Sequence, residues 1–326
     1  ETLAVTGYVR SQFDDTRGAP LSAPADIDTR GLFFDIHSYS RLVLWPWGFT
    51  STPAPNAAAL QALGRRLAWF NDYTPQAAVG LYPTDGTTDD FAYGELGLPA
   101  YTFELGTAFF QDCASFQNTI LPNNRDALRY ALRAARAPYR WPLGPDVREL
   151  SVDPDLLLPG ERFTVSGLAD DARQKTGSFP ESGPVPAVQA ILGRTAGFQP
   201  PWTEDAGGVG LAAVDGAFDA PVEAVSASLD SSGLDVGRHL VWLQAVDAAG
   251  NAGPPAASFV DIVAPGQIAQ LSGSVRQIGT LAPLAATIRA GDYPASTDPS
   301  TGAYARRLRA GNYDITAAAP GHESVL

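Results

Sequence analysis

Methionine is absent from these 326 residues, cysteine occurs once, at Cys113, and lysine once, at Lys175. A single cysteine excludes an internal disulfide and a cysteine-built zinc site, since both need several thiols in one chain. Histidine is almost as scarce: His37, His239 and His322 are all there is. No apolar run approaches the ~18 residues that a membrane span requires. Positive charge is also short, with 22 Lys and Arg against 35 Asp and Glu, a formal net charge of −13. That balance argues against nucleic acid or an anionic membrane as partner, because both recruit cationic surfaces.

What is present suits buried cores, with 45% hydrophobic residues, and the length allows two or three domains. The chain opens at Glu1 with neither methionine nor signal peptide, and it stops at Leu326 just as a strand is predicted after His322. The expectation is a piece of a longer precursor.

The stretch that organises the rest is Gly31-Leu-Phe-Phe-Asp-Ile-His-Ser-Tyr-Ser40. Leu32 to Ile36 is an apolar run broken only by Asp35, the pattern of a strand buried on both faces. It ends in His37, at a strand's carboxyl end, where open α/β sheets place their chemistry. The plainer alternative is a hydrogen-bonded histidine of core or surface. Further on, Asp89 to Gly97 reads as an acidic, aromatic turn, followed by a short apolar strand, Tyr101 to Leu105, that carries one carboxylate, Glu104. A histidine and a glutamate on two strand ends suit a metal ligand and a general base acting on metal-bound water.

Around these strands the spacing predicts helices. Glu1 to Phe13 has helical apolar spacing. A second helix is predicted after Asn56 as cap, with Leu60, Leu63, Leu67 and Phe70 on one face. A third is predicted after Asn123 as cap, with Ala127, Leu128, Ala131, Leu132 and Ala135 inward and Arg129, Arg133 and Arg136 on a solvated side; Pro138 ends it. From Arg140 the character changes to Gly, Pro and Asp with short alternating strands, such as Glu161 to Ser166, Val222 to Leu229 and His239 to Val246.

The motifs His37-Ser-Tyr-Ser, Asp89-Asp-Phe-Ala-Tyr-Gly-Glu-Leu-Gly and Thr102-Phe-Glu-Leu resemble, in order and approximate spacing, the zinc metallocarboxypeptidases of the carboxypeptidase A/B/T family over about residues 1 to 140. The resemblance implies a mixed-sheet α/β domain, here the C-terminal half of the catalytic unit (1–140). The stretch Val241 to Asn251 resembles the closing strand and turn of an immunoglobulin-like sandwich (141–264). Thr297-Asp298, Gly302, Tyr304 and Ala310-Gly-Asn-Tyr313 resemble a carboxypeptidase regulatory-like, transthyretin-like sandwich (265–326). Two all-β sandwich domains are therefore expected after the α/β part.

The same resemblance implies a Zn2+ cofactor, peptide C-termini as substrates and an extracellular setting, where the sandwiches could make surface contacts. His37 matches the third zinc ligand; the first two belong to a His-x-x-Glu motif expected before Glu1, since no histidine here has a glutamate three residues on. Glu104 matches the general base. Tyr39, Tyr82, Asp89 and Thr102 match substrate-binding positions. Tyr82 corresponds to a mobile tyrosine over the terminal carboxylate, its alternative being a half-buried loop aromatic. Asp89 corresponds to the base of the side-chain pocket, where family members selective for Arg or Lys carry Asp; its alternative is a turn cap. Gly106 replaces a usual arginine. His239 is expected within a β-strand and His322 in a surface loop. A rival reading is a non-catalytic surface or adhesion protein with a vestigial peptidase part.

Overall fold

The structure, a computed structural model, describes residues 2–18, 20–175, 191–197 and 208–322. Glu1 and residues 323–326, where a helix start and a further strand are expected, lie outside the described residues. The first part alternates helices and strands: α1 (Thr2–Gln12), β1 (Phe33–His37), β2 (Leu42–Trp45), α2 (Ala57–Asn71), β3 (Thr74–Ala77), α3 (Thr88–Leu96) and β4 (Ala100–Glu104). A turn, α4 (Cys113–Ser115), runs through the π-helical Phe116–Ile120 into α5 (Leu121–Ala134). The four strands form one mixed sheet in the order β1-β4-β2-β3, with β1 parallel to β4 and β2 antiparallel to it.

The period of two along β1 and β4 sorts their side chains onto two faces. Phe34, Tyr101 and Phe103 take one face, Phe34 stacking on Tyr101 at 5.9 Å and meeting Phe103 edge-on at 5.3 Å. α2 packs there through Leu60, Leu63 and Leu67, all fully buried, each contributing about 1.5–3 kcal/mol by leaving water. Its approach is close because position 64 is glycine: a Cβ there would stand 2.5 Å from the Trp45 ring. Asp35, His37, Thr102 and Glu104 fall on the opposite face.

Several local expectations are corrected. β1 is the edge strand of the sheet among the described residues, and Ile36 is 48% exposed, so the apolar run is not buried on both faces. The Asp89 to Gly97 stretch is a helix, α3, with Thr87 as its N-cap and Gly97 as its C-cap; acidic residues suit its positive end as well as they suit a turn. Asn56 precedes α2 but makes no cap bond; its amide instead pairs with the backbone of Ala25, accepting from N at 2.7 Å and donating to O at 3.2 Å. Asn123 is inside α5, since Asp112 caps the preceding turn by accepting from Ser115 N. Leu132 is 78% exposed rather than inward. Arg133 is not simply solvated, since it donates to the carbonyls of Val147 and Pro254.

From Asp146 the chain is strand-rich. One sheet has the order β10-β11-β7-β5 and another β6-β13-β12-β8-β9, where β5 is Asp146–Asp153, β6 Leu156–Leu157, β7 Arg162–Asp170, β8 Ile191–Gly197, β9 Val209–Gly210, β10 Ala212–Ala213, β11 Val222–Asp230, β12 Gly237–Asp247 and β13 Ala256–Ile262. Their inward residues, among them Phe163, Val165, Val225, Val241, Leu243 and Val260, make one core. Five further strands follow: β14 (Ile268–Ser274) pairs with β17 (Ala303–Arg309), and β15 (Thr287–Ala290) lies between β16 (Tyr293–Ser296) and β18 (Ile315–Ala318). Among the described residues no helix is long and apolar enough to cross a membrane.

Candidate active site

The carboxyl ends of β1 and β4 meet in register, with His37 opposite Glu104 and Asp35 opposite Thr102. Leu105 N donates to His37 O at 2.9 Å and continues the pairing one step beyond the strands. Because these are parallel partners on one face, the imidazole and the carboxylate stand side by side: His37 Nδ1 lies 3.7 Å from Glu104 Oε1, and His37 Nε2 lies 3.1 Å from Asp35 Oδ1. Glu104 is mostly buried while His37 is half-exposed. Burial pushes the Glu104 carboxyl above its ordinary value; His37 pulls against that shift and the nearby Asp35 charge adds to it.

The first turn of α3 brings the remaining acids. Thr87 caps the helix, and Asp89 and Asp90 occupy its positive end. Thr88 Oγ1 donates to Asp35 Oδ2, so helix and strand are tied across the site. Asp89 is 2% exposed; its Oδ1 accepts from Asp90 N at 2.9 Å and its Oδ2 from Thr102 Oγ1 at 3.3 Å. Asp90 turns the other way and accepts Gly48 N at 3.0 Å on both oxygens. Burial nonetheless pushes Asp90 up to about 6, the bond from Gly48 opposing and the Asp89 charge reinforcing.

A cavity of about 340 Å³ opens between these elements. His37, Tyr82, Asp89, Thr102 and Glu104 all line it, and so do Asp35 and Thr88. Tyr82 reaches it from the exposed loop before α3. Tyr39 is outside the cavity lining: the chain turns after β1, and the exposed Tyr39 ring rests edge-on against Phe109 at 4.9 Å. His239 is half-buried on β12 with its Nε2 2.8 Å from Asp235 O, and His322 is exposed near the chain end, so neither joins the site. Asp35 and Thr88 have no place in the sequence-based site. The signal for Asp35 is its position two residues before His37, which in a strand means the same face.

Residues 24–129 match the family model described as zinc carboxypeptidase. A zinc carboxypeptidase of Saccharothrix mutabilis subsp. capreolus is 42% identical over 77 residues, covering 22% of this chain and 18% of that protein. Carboxypeptidase A1 of Rattus norvegicus is 36% identical over 80 residues, 22% of this chain and 19% of that protein. Carboxypeptidase B of Canis lupus familiaris is 29% identical over 113 residues, 32% of this chain and 24% of that protein. The chain thus spans about a fifth to a quarter of the length of the curated relatives it matches.

The family implies Zn2+, and the residues in hand do not make a zinc site by themselves. Among the described residues no group of three or more His, Cys, Asp or Glu is arranged to hold a metal ion. The geometry gives the reason: Asp35 and Glu104 contact different nitrogens of the His37 ring. The lone pairs of those nitrogens point apart, so the two carboxylates cannot converge with the imidazole on one ion.

Proposed function

We propose that this chain carries the general base, one metal ligand and the side-chain pocket of a metallocarboxypeptidase that removes single residues from peptide C-termini. The observation that carries the reading is the meeting of His37, Glu104, Tyr82, Asp89 and Thr102 on one cavity at the carboxyl ends of two parallel strands. Glu104 takes a proton from the attacking water and returns it to the leaving amine, a role favoured by a carboxyl whose burial raises its pKa. Tyr82 closes over the terminal residue. Tyr39, outside the cavity, contacts the residue upstream of the scissile bond. His37 is one ligand of a zinc site whose other ligands come from outside these 326 residues. Titration of the chain with zinc is expected to give no binding tighter than about micromolar, because a single imidazole is far from a three-ligand site; tight one-to-one binding that depends on His37 overturns this.

In this reading Asp89 sits at the base of the pocket and favours basic terminal residues through a charge-assisted contact. Residues 141–264 and 265–326 are an immunoglobulin-like and a transthyretin-like sandwich, and the whole works outside the cell. The lack of a three-ligand metal group among the described residues favours one rival, a surface protein with a vestigial site.

The deciding measurement is release of the terminal residue, with the metal site completed, from matched peptides ending in Arg and in Leu. Asp89→Ile is expected to lower the Arg-to-Leu ratio of kcat/KM by at least about tenfold, ~1.4 kcal/mol. An unchanged ratio reduces Asp89 to a helix-terminus residue. No release from any peptide supports the vestigial reading.

A further inference from the structure

Asp35 is the one polar break in the apolar run 32–36, and it carries a carboxylate into the cavity beside Glu104. It and Asp89 are held crosswise. Thr88 of α3 donates to Asp35 on β1, while Thr102 of β4 donates to Asp89 on α3. Asp35 and Thr102 are register partners, and Thr88 and Asp89 are successive residues of one helical turn. The two acids therefore belong to one braced frame. Both line the same volume, whose lining contains no lysine or arginine.

Their surroundings differ in a useful way. Asp89 is buried, with hydroxyl and backbone donors but no cation paired to it among the described residues. The positive end of α3 offsets part of its charge; a buried carboxylate without a counter-charge is otherwise poorly accommodated. Asp35 is partly exposed and closer to the catalytic pair, with His37 as its ionisable neighbour. A ligand cation in this space meets one partly exposed acid and one buried one.

We propose that Asp35 is a second specificity-determining residue, which acts with Asp89 to select a guanidinium over an ammonium on the terminal side chain. This rests on the reading of the cavity as the side-chain pocket. The chemistry follows from the two cations. A guanidinium is planar, with five N–H donors spread over three nitrogens, and can bond two separate carboxylates at once. An ammonium is a compact point charge that is satisfied by one carboxylate and water. A single buried acid thus attracts both cations, and a second acid displaced from it rewards the larger fork.

The test measures binding alone, by calorimetric or NMR titration of the chain with Nα-acetylarginine, Nα-acetyllysine and Nα-acetylnorleucine, which share a terminal carboxylate. The expected order is arginine, lysine, norleucine, with at least a tenfold span. Asp35→Asn is expected to lower the arginine-to-lysine affinity ratio fivefold or more and to leave the lysine-to-norleucine ratio within twofold. Asp35→Ser is measured beside it, and a melting curve checks that each variant is folded. Asp89→Asn is expected to collapse the lysine-to-norleucine ratio. An arginine-to-lysine ratio that stays within twofold in both Asp35 variants overturns the proposal while leaving Asp89 and the peptidase reading intact. Norleucine binding as tightly as arginine to the unaltered chain overturns it through the pocket itself. Failure of the peptidase reading shows instead in the release assay, which these titrations do not involve.

Discussion

Glu104→Gln is expected to lower kcat by about 10²-fold or more, the usual contribution of a positioned general base, which corresponds to ~2.7 kcal/mol of barrier. The substitution keeps the shape and the hydrogen-bonding reach of the side chain and removes only its ability to accept a proton. Its surroundings make it a clean experiment, because Glu104 is held by strand pairing with His37 rather than by a salt bridge to a lysine or arginine. The pH behaviour adds a second readout. Burial raises the Glu104 pKa in the folded chain, so the acid limb of kcat/KM is expected above the ordinary carboxylate range and is lost in the variant.

The stability consequence has the opposite sign from that of a salt-bridged acid. The folded chain holds the Glu104 proton more tightly than the unfolded chain, so stability falls as pH rises from the ordinary carboxylate value through the raised one. At neutral pH the ionised side chain is a net cost, and Glu104→Gln is expected to unfold no earlier than the parent. Equal melting temperatures with a hundredfold loss of turnover assign the residue to chemistry. A variant as active as its parent removes Glu104 from the mechanism, whatever becomes of the pocket.

The amino-acid sequence lets some of this be foreseen and hides the rest for identifiable reasons. Strands β1 and β4 are legible because apolar runs ending in one polar group are short-range patterns. Their pairing in register, which puts His37 beside Glu104, is a long-range fact that no local pattern holds. The position of β1 at the sheet edge is hidden for the same reason, since an apolar run reads alike at the edge and in the middle. α3 reads as a turn because Asp-Asp serves a helix terminus and a turn equally, and only the Thr87 cap separates them. Asp35 can be read as a strand residue, but its bond from Thr88 needs the fold, since the two lie 53 positions apart in the sequence. Arg66 offers no signal at all. It sits in a helix beside Arg65, where two adjacent arginines read as a solvated face, and yet it is one of the largest fully buried side chains.

Arg66→Met is expected to destabilise the fold more than any of the substitutions above, by about 3–5 kcal/mol, the cost of removing one partner from a buried ion pair. The side chain runs from α2 to the place where the α/β part meets the strand-rich region. Its Nε donates to Pro142 O at 2.7 Å, and its Nη2 donates to Gly144 O at 2.6 Å and to Asp171 Oδ1 at 2.7 Å. Asp146, the first residue of β5, lies 3.6 Å from Nη1 and 3.7 Å from Arg173 Nη1. Arg66, Asp146 and Asp171 are all fully buried. Methionine fills much the same volume, so the loss is not a cavity but the Asp171 carboxylate and two carbonyls deprived of the Arg66 donor, with Asp146 deprived of one nearby cation. Arg173 still faces Asp146 and stacks over Trp69 and Phe70 at 4.2 and 4.5 Å, which softens the effect without replacing the bonds to Asp171. The double variant Arg66→Met with Asp171→Leu separates the causes: it is expected to recover part of the stability, because the buried charge that lost its bond from Arg66 is gone. Denaturant unfolding of the single and double variants measures both steps. Additive losses would place the effect in packing alone, and a loss below about 1 kcal/mol for Arg66→Met would mean that water reaches this junction and that the two regions are not joined through a dry ionic core.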